Sequence, residues 1–531
     1  MLKVLVSDPI SDLGIQQLMD AEDVVVDKKT GLSEDELIQI IGDYDALLVR
    51  SQTRVTPAIM KAGTRLKVVG RAGVGVDNIN LEAATERGII VINAPDGNTI
   101  TTCEHTFAMM MALARHIPQA YAKTIGGTWD RKTFLGVELR NKTLGVLGMG
   151  RIGSEVAKRA KAFGMNILGY DPFLTQERAE KMGVTLASVD DIIRNADFMT
   201  VHTPLTPETK HMIARPQFEV MKKGMRIINC ARGGIIDEMA LIEAIDEGIV
   251  AGAAFDVFES EPPVADHPFL SHPNIIVTPH LGASTVEAQE NVAIDVSEQV
   301  LHILRNEPFK NAVNMPPVAP SVMNIIQPYF KLGETLGSFA AQMANEAIQE
   351  IHIDYSGDLS EVDTQQLTRY VLKGILERHL GSEANIVNSL HLAKIRDINV
   401  VVSQAPRTKG FTNLITVTLK NQHEQERRIA GTLLTGYGER IVRLDHFPVD
   451  FAPEDHQIFI SHNDKPGIIG RVGTLLGEND VNIASMQVGR KIIGGAAIMI
   501  LTVDKEVPKE VLKKLTELPE LNTAQEIVLQ K

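Results

Sequence analysis

Leu144–Leu147 is a short apolar run that leads straight into Gly148-Met149-Gly150-Arg151-Ile152-Gly153. No other stretch of the sequence limits the fold as strongly. A helical pattern follows from Ser154 to Phe163, then a second apolar strand, Asn166–Tyr170, ending at Asp171. Gly148 permits the tight turn, Gly150 lets backbone approach a pyrophosphate, and Gly153 lets helix and strand pack closely. The helix start, at Arg151 and Ile152, offers free N–H groups and a positive partial charge to phosphates. Asp171 sits where a carboxylate accepts from ribose hydroxyls and repels the extra phosphate of NADP. Pro172 rather than an arginine follows, so NAD is the expected cofactor. A lone G-x-G-x-x-G also occurs in chance loops; strand, helix, second strand and terminal acid together point to dinucleotide binding.

The rest of the chain supplies more than one domain. Its 531 residues make three or four at roughly 150 residues each. Upstream, Val4–Ser7, Val24–Val26, Ala46–Val49, Lys67–Val69 and Ile89–Ile92 read as buried strands between amphipathic segments, a βαβα rhythm that predicts a doubly wound sheet. A second such region runs from Asn98 to about Leu281. Ser284–Arg305 reads as one long helix, and Asn311–Ser321, with three prolines, as a linker. Beyond it Ile325–Glu350 reads as helix and Leu414–Leu419 as strand. After Pro453 the order is strand (Gln457–Ser461), helix (Gly467–Glu478), strands (Asn482–Val488, Ala496–Val503), helix (Pro508–Leu515) and strand (Glu526–Leu529), the ferredoxin-like βαββαβ arrangement.

With 53 basic and 67 acidic side chains the net charge is −14, which argues against a protein whose main work is holding nucleic acid or an anionic membrane. No run of about 18 apolar residues predicts a membrane span, the N-terminal stretch reads as a core strand rather than a signal peptide, and a cytoplasmic location is expected. Cys103 and Cys230 are the only cysteines, too few for a disulfide framework or a cysteine-built metal site, and no metal is expected.

Three charged groups close apolar strands in the second region. Ile227–Cys230 runs into Arg232-Gly233-Gly234, Ala253–Phe258 leads to Glu261-Pro262-Pro263, and Ile275–Val277 ends at His280. Ligands of open α/β sheets bind outside the carboxyl ends of the strands, so Arg232, Glu261 and His280 are expected at one crevice. Arginine grips a carboxylate bidentately and polarises the neighbouring oxygen. Histidine exchanges an alcohol proton, and a glutamate on its far ring nitrogen fixes the tautomer. Taken singly, a His-Leu-Gly strand end or a Glu-Ser-Glu-Pro-Pro turn needs no function. Three charged strand ends following one dinucleotide loop favour chemistry.

These segments, with Asn229–Gly234 and Thr278–Ala283, resemble the D-isomer-specific 2-hydroxyacid dehydrogenase family. The resemblance spans about the first 310 residues. It implies two doubly wound parallel-sheet domains, with the substrate domain (1–97 and 284–310) interrupted by a Rossmann NAD domain (98–283). It assigns catalysis to Arg232, Glu261 and His280. NAD contacts carried over are Val74 (through its backbone), Gly148, Gly150, Arg151, Ile152, Gly153, Asp171, Thr203, Pro204, Cys230, Ala231, Arg232, Asp256, His280, Gly282 and Ala283. Asp256 would accept from the nicotinamide carboxamide, and Cys230 reads as a small apolar liner. Val49-Arg50-Ser51 and Gly70–Asn78 look like the family's substrate loops and Asn98-Thr99 like its hinge. Substrate contacts are then Arg50, Ser51, Arg71, Gly73, Gly75, Asn98 and, from a neighbouring subunit, Arg131.

Within the family the likeness extends to long members that oxidise 3-phosphoglycerate to 3-phosphohydroxypyruvate, the first step of phosphorylated L-serine synthesis. Residues 311–452, with Gly431-Thr432-Leu433 and Glu439-Arg440-Ile441, resemble their α+β intervening domain, although Asp445-His446 departs from the usual glycine after the acid. Residues 453–531, with His462–Gly467 and Val481–Ile483, resemble an ACT domain, which implies an L-serine effector held by His462, Asp464 and Asn482 between paired subunits, and a homotetramer. Two other readings share the scaffold: a glyoxylate or hydroxypyruvate reductase, and a non-enzymatic NAD-sensing regulator. The phosphate-binding arginines and the C-terminal extension discriminate against the first, and the intact Arg/Glu/His set against the second.

Overall fold

The computed structural model describes residues 1–344, 346–406 and 410–529. Positions 345, 407–409, 530 and 531, all in the two C-terminal units expected above, lie outside that description. The first sheet holds β1 (Leu2–Val6), β2 (Val24–Lys28), β3 (Ala46–Val49), β4 (Val68–Arg71) and β5 (Ile90–Asn93), all parallel in the order β2-β1-β3-β4-β5. The helix Val286–Leu304, started by a Thr285 cap on the Ala288 N–H, lays Val292, Val296 and Val300 on this sheet. The chain therefore returns here after the second sheet.

That second sheet holds β6 (Thr143–Leu147), β7 (Asn166–Tyr170), β8 (Thr185–Leu186), β9 (Phe198–Val201), β10 (Met225–Asn229), β11 (Val250–Phe255) and β12 (Ile275–Val277) in the parallel order β12-β11-β10-β9-β6-β7-β8. Strand order reverses between β6 and β9, which opens a crevice at their carboxyl ends. The helix Thr99–Arg115 joins the two sheets and buries Cys103, Phe107 and Met110 against the second.

The proline-rich segment is anchored at its start. Ala312 bridges Ile92, the Val313 N–H donates to the Val91 carbonyl (2.7 Å), and the Asn314 side chain accepts from Val91 N–H and donates to the Ile89 carbonyl, both at 2.9 Å. Asn311–Asn314 thus covers the open edge of β5, where bare backbone would invite foreign pairing.

The third sheet is mixed: β13 (Ile348–Gly357), β14 (Asn399–Ala405), β15 (Asn413–Asn421), β16 (Glu426–Leu434), β17 (Gly438–Leu444) and β18 (Phe447–Phe451), in the order β14-β13-β15-β16-β17-β18. The helices Phe330–Met343 and Gln365–Leu380 pack with it in one core. The helix expected to continue to Glu350 stops at Met343, and Ile348–Glu350 is already strand. Alternation wins there, because Ile351, Ile353 and Tyr355 all turn to the core face.

The fourth sheet is β19 (His456–Asn463), β20 (Ile483–Arg490), β21 (Ala496–Val503) and β22 (Leu521–Val528), antiparallel in the order β20-β21-β19-β22, with the helices Ile468–Glu478 and Lys509–Thr516. This is the expected βαββαβ order. One face of this sheet shares a core across Pro453, where Phe459, Ile498, Ile500 and Ile527 pack with Phe339 and Phe451, while Ile458, Ile460, Met499 and Leu501 on its other face form a separate core with its two helices. The Gln342 side chain donates to Val528 O (2.8 Å) and accepts from Val528 N–H (3.0 Å), pairing with β22 as backbone would.

Candidate active site

The crevice begins at the glycine loop. Gly148 has φ +96°, and a Cβ there would sit 2.6 Å from the His202 carbonyl oxygen. A Cβ on Gly153 would collide with the Gly148 carbonyl, so helix Arg151–Ala162 meets β6 at backbone distance, while Gly150 faces open space. Asp171 folds onto the loop: its carboxylate accepts from Met149 N–H (2.9 Å) and Phe173 N–H (2.8 Å). Arg151, the first helical residue, pairs with Asp96, two residues before Asn98. Thr203 Oγ1 and Asn98 Oδ1 are buried without a hydrogen-bond partner. An open glycine-lined helix start with unpaired buried oxygens around it fits a dinucleotide. Gly148→Val is expected to weaken NADH binding at least tenfold, measured by fluorescence titration, because it adds a clash to a backbone conformation L-residues rarely adopt.

At the opposite lip, His280 Nδ1 lies 2.7 Å from Glu261 Oε2, and Glu261 Oε1 accepts from Phe258 N–H (3.1 Å). Burial opposes ionisation of Glu261, but the His280 and Phe258 hydrogen bonds and the Arg232 charge outweigh it and hold the carboxyl below its usual range. All three expected strand-end groups therefore interact. His280 is 48% exposed and stands in the left-handed region at φ +54°, which leaves Nε2 for a ligand.

Asp256, fully buried, organises this lip. It accepts from Thr278 O–H (2.6 Å), Leu281 N–H (2.7 Å) and Gly282 N–H (2.8 Å). Its carboxyl is held low: burial raises it, but hydrogen bonds from His105, Thr278 and Leu281 win. A depressed pKa gives stability that is complete above the ordinary aspartate value, about 3.9, and is lost as pH falls through the lower folded value. Asp256→Asn should therefore flatten the fall of Tm between about pH 5 and pH 2 in thermal melts.

Facing this lip, the first sheet contributes arginines. Gly73 and Gly75 leave room that the Arg71 and Arg232 guanidiniums fill, since a Cβ on either glycine would strike them. Arg71 Nε donates to Asn78 Oδ1 (2.9 Å), and Asn78 also donates to the carbonyls of Arg50 (2.8 Å) and Thr53 (2.6 Å). The buried Asp8 carboxylate accepts from Arg50 N–H (2.6 Å) and so shapes the same loop. Burial lowers the Arg71 pKa, and the Arg232 and Arg50 charges add to that; Asp77 and Asp8 oppose it. Arg232 Nε lies 3.4 Å from Asp77 Oδ2, an ion pair that spans the cleft. Around Arg232, the buried Asn229 closes the turn by donating to the Arg232 carbonyl and accepting from Ala231 N–H.

The other expected residues are dispersed. Val74 is partly buried, its carbonyl held by Asn93. Ile152 packs against the second-sheet core, Pro204 accepts from Thr209 (2.6 Å), and Gly282 and Ala283 follow His280 on its loop. Cys230 is buried and its thiol pushed up by burial, in keeping with a liner. Ser51 and Arg131 are exposed. The effector set is not brought together within one chain. His462 pairs across to Ala497 and Asn482 sits beside Ile483, which pairs to Val503, so they lie at opposite ends of β21, about 20 Å apart. Asn482 donates to Asp504 (2.8 Å), and Asp464 is taken by Arg490 (3.0 Å) and Gly494 N–H (3.1 Å). Asp8, Asp77, Asn78, Asn229, His105 and Thr278 were not singled out from the sequence for a role; polar residues in loops after strands were the available signal. Among the described residues no cluster of His, Cys, Asp or Glu could hold a metal, and no helix is long and apolar enough to cross a membrane.

Comparison with known proteins gives matches in three regions of the chain. Residues 107–282 match the model for the NAD binding domain of D-isomer specific 2-hydroxyacid dehydrogenases, 325–445 the D-3-phosphoglycerate dehydrogenase intervening domain, and 456–520 the ACT domain. The D-3-phosphoglycerate dehydrogenase of Bacillus subtilis is 47% identical over 98% of this chain and 98% of its own length. That of Methanocaldococcus jannaschii gives the same identity and coverage. Among solved structures, a glyoxylate reductase from Paecilomyes thermophila aligns with 59% of this chain and 98% of its own at TM-score 0.54 and 30% identity. A D-lactate dehydrogenase from Aquifex aeolicus, complexed with NAD and lactic acid, aligns with 57% and 96% at TM-score 0.51 and 28% identity.

Proposed function

Because the chain belongs to the D-3-phosphoglycerate dehydrogenases of the D-isomer specific 2-hydroxyacid dehydrogenase family, we propose that it oxidises 3-phospho-D-glycerate to 3-phosphohydroxypyruvate, with Arg232, Glu261 and His280 as its catalytic set. The observation that carries the reading is the meeting of a His–Glu pair with the Arg50, Arg71 and Arg232 charges at the mouth of the nucleotide crevice. NAD would lie along Gly148–Gly153 with Asp171 and Thr203 and would supply the acceptor for the hydride from C2; Asp256, expected from the sequence to meet the nicotinamide carboxamide, is buried with its oxygens taken by Thr278, Leu281 and Gly282 and acts on the loop instead. His280 Nε2 takes the C2 hydroxyl proton. Glu261 keeps the opposite nitrogen protonated and balances the charge that grows on the ring. Arg232 grips the substrate carboxylate, with the Gly73–Gly75 backbone beside it, and Arg71 and Arg50 hold the phosphate. Arg131 would reach the phosphate from a second copy.

The substrate carboxylate must displace Asp77 from Arg232. Asp77 also repels a dianionic phosphate. Asp77→Asn is therefore expected to lower KM for 3-phosphoglycerate about threefold or more, with kcat little changed, in steady-state assays at low salt.

The substrate work belongs to residues 1–97 and 284–310, cofactor binding to 98–283, and regulation to 311–452 and 453–531. L-serine binds at the last unit, with His462 and Asp464 from one chain and Asn482 from another. This arrangement suits their separation along β21. The helix Ile117–Ile125 buries none of its residues, and Tyr121, Ile125, Trp129 and Leu135 are exposed nearby, which supports a dimer through the NAD unit and a tetramer overall. The protein works in the cytoplasm. The test is NADH production from 3-phosphoglycerate with and without L-serine. Turnover of D-lactate or glycolate but not of 3-phosphoglycerate would sink the substrate reading. Turnover indifferent to L-serine would remove only the regulatory one.

A further inference from the structure

His105 lies outside the set just described, two turns into the helix Thr99–Arg115 that joins the two sheets. Its Nε2 is 3.1 Å from Thr278 Oγ1 and 3.2 Å from Asp256 Oδ1. Thr278 spends its own proton on Asp256, so its oxygen is free to accept, and one His105 N–H serves both partners. Asp256 in turn holds the residues around the proton carrier. Its main-chain carbonyl accepts from His280 N–H (2.9 Å), and its carboxylate accepts from Leu281 and Gly282 N–H. The same helix touches this loop a second time, where Thr102 O–H donates to the Gly282 carbonyl (3.0 Å). His280 itself sits at φ +54°, an uncommon backbone conformation that sets the direction of its side chain.

We propose that His105 is a positioning residue for the reaction: through Asp256 and Thr278 it fixes the loop 278–282 and thereby the height of the His280 ring above the crevice. The chain of contacts begins on the helix that follows Asn98, so the setting of His280 is tied to the element that joins the two sheets. Proton transfer is steep in geometry, and a displacement near 1 Å can cost about 100-fold in rate. His105 never touches substrate in this scheme. The inference rests on His280 being the proton carrier.

The test compares His105→Asn and His105→Gln in the full-length protein. Glutamine can present an N–H near the position of Nε2; asparagine is too short. His105→Asn is expected to lower kcat at least tenfold, while NADH affinity by fluorescence titration and KM for NAD stay within threefold. His105→Gln is expected to stay within threefold of the parent in kcat. Parent-like kcat in the asparagine variant overturns the proposal. So does an equal loss in both variants, which would give the imidazole itself another task, and so does a parallel loss of NADH binding, which would mean general loosening of the crevice. His280→Ala run alongside separates the two levels: if it keeps turnover, the reading beneath fails; if it is inactive while His105→Asn is normal, only the positioning role falls.

Discussion

His280→Ala should lose turnover by about 100- to 10,000-fold, the range that a positioned acid–base group supplies, while NADH still binds. The cause is local. No described side chain other than His280 is held by Glu261 through one ring nitrogen and left accessible through the other. Alanine also tolerates the left-handed backbone less well than histidine does, which adds a backbone effect to the chemical one. His280→Asn removes that ambiguity, because asparagine tolerates φ near +54° far better and still cannot carry the proton. Both variants should be inactive with NADH dissociation constants within a few-fold of the parent. Near-normal turnover in either would place the proton carrier elsewhere. Glu261→Gln is expected to fall between, about 10- to 100-fold down, since it keeps a hydrogen-bond acceptor on Nδ1 but not the charge.

Arg232→Ala is expected to be the other severe lesion. Removing one partner of a desolvated charge pair costs about 2–5 kcal/mol, so kcat/KM for 3-phosphoglycerate should drop roughly 30- to 5,000-fold. Lysine should restore only part, because it offers a point charge where the planar fork meets a carboxylate. Asp77 adds a signature. In Arg232→Ala it loses its partner across the cleft, so the double change Arg232→Ala, Asp77→Asn should lose less than the product of the single effects predicts. Stopped-flow binding of NADH checks that the crevice is intact. Full activity in the alanine variant would remove Arg232 from the carboxylate site.

The parts of the site legible in the sequence are those written within a few residues. The glycine loop shows its strand, its helix and its acid in one stretch, and each catalytic group stands at the end of its own apolar strand. What was not legible depends on contacts between distant positions. Asp8 shapes the Arg50 loop from the first strand, Asn78 ties that loop to Arg71, and His105 reaches Asp256 from a helix that reads as plain core. The same holds for the fold. Ile348–Glu350 has residues suited to helix or strand, and pairing with β15 decides it. The motif names His462 and Asn482 as contacts shared between paired subunits but not their spacing; only the pairing of the strands shows that β21 lies lengthwise between their positions.

The apolar cluster that runs from Phe339 through Phe451 to Phe459 and Ile527 has a thermodynamic meaning. Two sheets that bury the same side chains cannot melt one after the other without exposing them, so everything beyond Pro320 should unfold as a single cooperative transition. Cutting the chain at Pro453 would strip one wall from that cluster and leave a sticky remnant. Cutting before Pro320 would keep that cluster whole and uncover the Asn385–Val387 contact with the first sheet, and calorimetry of the released part should record one peak.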